Sequence, residues 1–207
     1  YVFGIWSVIY LGLIAFAVYQ ALPAQRASAR LAAIDRPFAL SCLANALWLV
    51  LWHALWIPAT LAVMLVLLGS LITIYRRLDA GRAAAAAGER WCVDVTFSVY
   101  LGWITVATIA NATIVLHDAG WDGGRLGAEG WSIVLLAVGA GLAARLATTR
   151  RDAAYGLVLV WAFVGISVQQ GGTNTIARAA QLAAAYVAAV AVVALWRAWR
   201  DRRAVTA

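Results

Sequence analysis

The chain has 207 residues, 65% of them hydrophobic, with a mean hydropathy of +0.85 and a formal net charge of +7. Roughly half of a soluble domain is apolar, so this composition excludes an ordinary soluble fold and leaves little room for a separate aqueous domain or linker. All sixteen basic residues are arginine. Without lysine a retinal Schiff base cannot form, and arginines in short loops between apolar runs are not the basic patch that nucleic acid requires.

A hydrocarbon core of ~30 Å takes about 20 apolar residues per helix. Runs of that kind follow one another along the chain. The first, residues 1–22, ends at Pro23 and a basic stretch with Arg26, Arg30 and Arg36. It begins without a methionine and has neither a basic leader nor a cleavage site, so it is read as a helix rather than a signal peptide, with further residues expected upstream. The second run is 37–57, with Pro37 suited to a helix start. Pro58 marks a tight turn into the third, 59–75. Arg76, Arg77, Arg82, Arg90 and an alanine-rich loop lead to the fourth, 91–116. A glycine-rich polar loop precedes the fifth, 131–147. The sixth is 153–168, and Gly171 and Gly172 separate it from the seventh, 176–199. The predicted fold is all-α: a polytopic transmembrane bundle of seven helices.

Arginine placement sets the orientation. If seven helices alternate, Arg26, Arg30, Arg36, Arg76, Arg77, Arg82, Arg90, Arg145, Arg150, Arg151, Arg197, Arg200, Arg202 and Arg203 share one side, and only Arg125 and Arg178 lie on the other. The positive-inside rule makes the rich side, and with it the C-terminus, cytoplasmic. Trp91, Trp121, Trp131, Trp196 and Trp199 fall at helix ends and read as an interfacial aromatic belt. Asp94, four residues after Arg90, reads as half of a snorkelling surface pair. Cys42 and Cys92 match no metal motif and are expected to stay reduced at the cytoplasmic ends of their helices. His53, His117 and Asp118 read as outer-surface residues rather than metal ligands. Leu71, Tyr75 and Arg77 fit a loose cholesterol-type pattern that an ordinary helix end also produces.

Three polar-aromatic stripes stand apart from the belt. Trp6 and Tyr10 are spaced i, i+4. Ser41, Asn45, Trp48 and Trp52 step by four, three and four. Tyr100, Trp103, Ala107 and Asn111 repeat the pattern. Each set makes one helix face. An amide in hydrocarbon is costly unless it faces the bundle interior. The arginine-derived orientation puts Trp6, Tyr10, Trp48, Trp52 and Asn111 in the outer half, with Trp103 and Trp161 near the middle. Two readings follow: a pocket for a flat, apolar ligand with a few polar atoms, or interhelical packing with Asn45 and Asn111 as hydrogen-bond glue. Gly139 and Ala143, and Ala140 and Ala144, suit close helix packing. If the chain is a subunit of a larger complex, the alanine-rich seventh helix, 177–194, suits contact with another chain for the same reason.

The motifs themselves carry a resemblance. GIWSVIYLGLIAFAVYQ (4–20) resembles the second helix of the TspO/translocator-protein family, the tryptophan-rich sensory proteins, with its W-x-x-L-Y core and later tyrosine. LANALWLVLW (43–52) is similar to the third helix, L-N-x-x-W. SVYLGWITVATIAN (98–111) is similar to the fifth, Y-L-x-W-x-x-x-A-T-x-L-N. The resemblance covers residues 1–122 and lacks the family's first helix and the loop after it. It divides the chain into a TspO-like four-helix core, 1–122, and a three-helix C-terminal extension, 123–207. It implies binding of tetrapyrroles such as porphyrins, or of lipid-like molecules, with Trp6, Tyr10, Asn45, Trp48, Trp52, Trp103, Ala107, Thr108 and Asn111 lining the site. No cofactor is required, although a bound tetrapyrrole is compatible, and no metal site is expected.

No Ser-His-Asp set, paired carboxylates or phosphate loop is present, so the chain is read as a receptor or carrier rather than an enzyme. The expected setting is a bacterial inner membrane. The expected partners are lipids, the ligand and further copies or other membrane chains, but not nucleic acid. The rival expectation is an accessory structural subunit of a larger, pigment-bearing membrane complex. A small-solute transporter is disfavoured by the lack of buried charge and of paired broken helices.

Overall fold

The structure, a computed structural model, describes residues 2–81, 85–171 and 174–205, with the side chains of 198, 199 and 201–205 left aside. Tyr1, Arg82, Gly172 and the side chains of Trp199, Arg202 and Arg203 therefore lie outside the described residues. Seven long helices correspond one to one with the seven apolar runs: α1 (Ile5–Ala21), α3 (Asp35–His53), α4 (Ile57–Arg77), α6 (Thr96–Asp118), α7 (Gly127–Arg150), α8 (Ala153–Gln169) and α9 (Thr175–Val205). Two short turns, α2 (Ala29–Ala32) and α5 (Ala87–Glu89), lie in the loops. Among the described residues, five helical segments are long and apolar enough to cross a membrane: Val2–Ala21, Ile57–Arg77, Ala87–Asp118, Gly124–Arg150 and Thr175–Arg197. Helix α8 is apolar but shorter.

Helix boundaries follow local chemistry. Helix α3 starts at Asp35, two residues earlier than the Pro37 start expected from sequence. Pro37 thus sits in the first turn, where a missing N–H costs nothing, and Asp35 places a negative charge at the positive end of the helix. Pro58 similarly occupies the first turn of α4. Helix α7 ends on Arg151 in the left-handed conformation at φ 56°. Asp152 then caps α8 by accepting the Tyr155 N–H at 3.1 Å, which satisfies one of the donors a helix start leaves unpaired.

The chain divides into two compact units, residues 3–122 and residues 1–2 with 123–207. In the first, α4 packs against both α3 and α6, and α1 packs on α6 and the turn before it. Phe16 of α1, Phe38 of α3 and Phe97 of α6 meet edge to face at 4.9, 4.9 and 5.8 Å between centroids. Such pairs contribute about 0.5–1.5 kcal/mol beyond their burial, and here they lock three helices at one level. Gly12 allows α1 to come close, since a Cβ there would lie 2.9 Å from Thr96 Oγ1. On the other side of α1, Leu11, Ile14 and Val18 are exposed. A helix apolar all round is suited to lipid on one side and protein on the other.

In the second unit α9 packs on α7 and α8. The alanine stripe expected from sequence to meet another chain is used inside the unit: Ala177, Ala180, Ala184, Val187, Ala191 and Ala194 are buried. A Cβ on Gly156 of α8 would touch Val187 and Ala191. Small residues let helix backbones approach closely, and on this face of α9 the approaching helices are α7 and α8. Gly139, Ala140 and Ala143 of α7 are buried as their spacing suggests, with Gly139 facing the Phe163 ring.

Candidate ligand-binding site

The stripes of α1, α3 and α6 all belong to the unit formed by residues 3–122. The Trp6 ring stands nearly perpendicular to Trp103, 6.2 Å between centroids, and is stacked with Tyr10 at 5.5 Å. Tyr100 and Phe3 complete the cluster, at 6.3 Å from Trp6 and Trp103 respectively. Tyr100 lies one turn before Trp103 on the same face of α6, so helical spacing delivers both rings to α1. Phe3 was not singled out by sequence, since a phenylalanine in an apolar run carries no signal of its own.

The α3 stripe approaches from another direction. Asn45 Nδ2 donates to the Tyr10 hydroxyl at a long 3.5 Å. Trp48 and Trp52 stack on each other at 5.3 Å. Asn111 is turned towards α4, where its Nδ2 donates to Thr60 Oγ1 at 2.9 Å; Thr60 in turn donates to the Ile57 carbonyl. The apolar run of α4 hid Thr60 as a partner. Ala107 is half-buried. Thr108, also half-buried, spends its hydroxyl on the Ile104 carbonyl of its own helix. Trp161 belongs to the other unit, where its indole N–H donates to the Val2 carbonyl at 3.0 Å.

Polar satisfaction is incomplete in a localised way. Asn45 Oδ1, Trp48 Nε1, Trp103 Nε1 and Asn111 Oδ1 are buried side-chain atoms with no hydrogen-bond partner among the described residues. Two are donors and two acceptors, all on α3 and α6. Trp103 is 6% exposed and Asn111 2%. An unpaired buried donor or acceptor costs about 1–3 kcal/mol, and each such group in a folded protein calls for a specific cause. The four lie on two of the three stripes, those of α3 and α6, and Asn111 is turned away from the Trp6–Trp103 rings towards Thr60 of α4.

At the arginine-rich end of the unit lies a charged cluster. Arg30 in α2 donates from Nη2 to Asp94 Oδ1 at 2.6 Å, from Nη1 to Glu89 Oε1 at 2.5 Å, and from Nε and Nη2 to the Leu78 carbonyl. Burial opposes the charge on Arg30, but its hydrogen bonds to Glu89 and Asp94 outweigh that and hold the guanidinium above its ordinary range. This corrects the expected surface pair of Asp94 with Arg90. Asp94 is 8% exposed and faces inward, where Arg30 reaches it. Spacing along one helix cannot reveal a partner 64 residues away. The segment that carries Asp94, Arg90–Val95, is a π-helix running directly into α6.

His53 Nδ1 lies 2.8 Å from the Leu49 carbonyl of its own helix. Both cysteines are free, Cys42 exposed and Cys92 half-buried.

No curated protein and no solved structure matches the chain. A family model described as TSPO-like protein matches residues 1–196. The match extends well beyond Asn111, where the quoted motifs stop, and takes in α7, α8 and most of α9. The long apolar helices and that match make the chain an integral membrane protein of the TSPO-like protein family.

Proposed function

We propose that the face built by Trp6, Tyr10, Trp103, Asn45, Trp48 and Asn111 binds a flat tetrapyrrole or a lipid-like molecule, and that the protein works as a non-catalytic receptor or carrier. The observation that carries this reading is the set of four unpartnered polar atoms on the stripes of α3 and α6, which also bear Trp48, Trp52, Tyr100 and Trp103. A porphyrin offers both an extended π-face for the tryptophans and peripheral polar groups for the two amides and two indoles. The rings now fill the face themselves. Tyr10 is the natural element to yield, because it is exposed and held by a hydrogen bond at the limit of length. In this reading the arginine-rich loops and the C-terminus lie in the cytoplasm, and the membrane is the bacterial inner membrane.

Titrating a porphyrin against intrinsic fluorescence tests the proposal. Trp103→Ala should weaken binding about ten- to a hundredfold, by analogy with the ~1–3 kcal/mol of aromatic stacking on a flat base. Trp91→Ala, which removes an exposed ring near the helix end, should leave affinity unchanged. Equal quenching in both variants and the parent would reduce the aromatic faces to interhelical packing.

A further inference from the structure

We propose that the groove between the first turns of α3 and the C-terminal half of α4 holds one anionic phospholipid, with its phosphate between Arg36 and Arg77. The groove lies wholly in the unit formed by residues 3–122 and shares no residue with the aromatic face. Its volume is about 420 Å³, within the ~300–1,000 Å³ range of small-molecule sites. Leu40 lines it on the α3 side, and Val66, Gly69 and Thr73 line it on the α4 side. Both arginines border the same groove.

Three observations converge on this occupant. The first is charge. Arg36 makes no hydrogen bond or ion pair among the described residues. Arg77 donates from Nη1 to the Ala33 carbonyl at 2.6 Å, which steadies the guanidinium and leaves its Nε and Nη2 donors for an anion. An arginine fork matches a phosphate in geometry as well as in sign. The nearest carboxylates in sequence, Asp35 and Asp79, do not line the groove. The second is length. Val66, Gly69, Thr73 and Arg77 form one stripe of α4, and the eleven steps from Val66 to Arg77 span about 16 Å at ~1.5 Å per residue. That is about half of a ~30 Å hydrocarbon core, the depth of one leaflet's acyl chains. The third is polarity along the stripe: the charge sits at one end and carbon surface follows from it. The Ser70 and Thr73 hydroxyls are spent on the Val66 and Gly69 carbonyls of their own helix, each at 2.8 Å. Leu40 and Val66 are exposed, and a Cβ on Gly69 would meet nothing within 4 Å, so a chain can lie along α4 there. Of the cholesterol-type pattern, Leu71 and Tyr75 are buried and do not line the groove. Only its arginine is on offer, which favours a charged lipid over a sterol.

The test is native mass spectrometry of the full chain released from vesicles of equal parts phosphatidylglycerol and phosphatidylcholine. One phosphatidylglycerol should be retained in preference to phosphatidylcholine. Arg36→Gln should lower that retention about fivefold, as expected for one basic residue near a headgroup, whereas Arg36→Lys should keep most of it. Arg26→Gln, which removes an exposed arginine outside the groove, should leave it unchanged. Gly69→Phe, which fills the groove without changing charge, should abolish retention; Leu40→Trp serves the same purpose should the phenylalanine variant fail to fold. Inorganic phosphate at millimolar concentration should not compete. Equal retention of the two lipids, equal losses in Arg26→Gln and Arg36→Gln, retention unaffected by groove filling, or displacement by inorganic phosphate would each overturn the proposal.

Discussion

Arg30 and Asp94, 64 residues apart, meet at 2.6 Å, and the same guanidinium also reaches Glu89 and the Leu78 carbonyl. One side chain thereby ties α2, the end of α4, α5 and the π-helical turn before α6. Replacing Arg30 with methionine strands two half-buried or buried carboxylates. The expected loss is about 3 kcal/mol, the low end for breaking a buried pair. Adding Asp94→Asn and Glu89→Gln to Arg30→Met should recover most of it, because no charge is then left unpaired. Thermal unfolding of the variants in detergent, read as a mutant cycle, measures both effects; a triple variant no more stable than Arg30→Met would mean that the arginine acts by packing alone.

Thr60 and Asn111 should respond asymmetrically. Thr60→Val leaves the Asn111 amide without its recorded partner and should cost about 1 kcal/mol. Asn111→Leu removes a side chain with an unpartnered oxygen, while Thr60 keeps its bond to Ile57. It should therefore be close to neutral for stability, and it should weaken porphyrin binding. Unfolding midpoints and the porphyrin titration, taken on the same preparations, separate the two roles.

Gly12→Val should destabilise the protein by about 1–3 kcal/mol, the usual cost of overpacking. A Cβ there already crowds Thr96, and the branched side chain would push α1 away from α6. Because Trp6 rides on α1, porphyrin affinity should fall along with stability. Gly69→Val, on a helix face where a Cβ meets nothing within 4 Å, should leave both unchanged.

The topology can be read by labelling. In a Cys42→Ser/Cys92→Ser background, Asp122→Cys should react with a membrane-impermeant maleimide on intact cells. Ala86→Cys should react only after permeabilisation. The reverse pattern would invert the orientation deduced from the arginines.

Much of the fold is legible in the sequence because a bilayer imposes a simple rule on chain length and polarity. Seven apolar runs of near-spanning length give seven long helices, and Pro58 and the Gly171 region fall at their joints. The alternation of arginines gives no packing information. It could not show that the alanine stripe of α9 is satisfied by α7 and α8. At the site, helical spacing brings Trp6, Tyr10, Tyr100 and Trp103 together, since i, i+3 and i, i+4 neighbours share a face. Which face of α4 meets Asn111 depends on packing angles that no single segment encodes, so Thr60 was invisible. The same holds for Arg30: its partners come from three other segments, and only the folded chain assembles them.

The π-helical turn at Arg90–Val95 bears on how this protein can change over time. In a regular helix one residue more or less swings everything downstream by about 100°, so an insertion within α6 itself would point Trp103 and Asn111 at new neighbours. A wide turn stores one surplus residue as a bulge. Losing a residue there would tighten the turn to ordinary α geometry and leave the direction of the downstream rings as it was. Length can thus drift in the loop-proximal stretch that answers to Arg30, while the bearing of the aromatic face stays fixed.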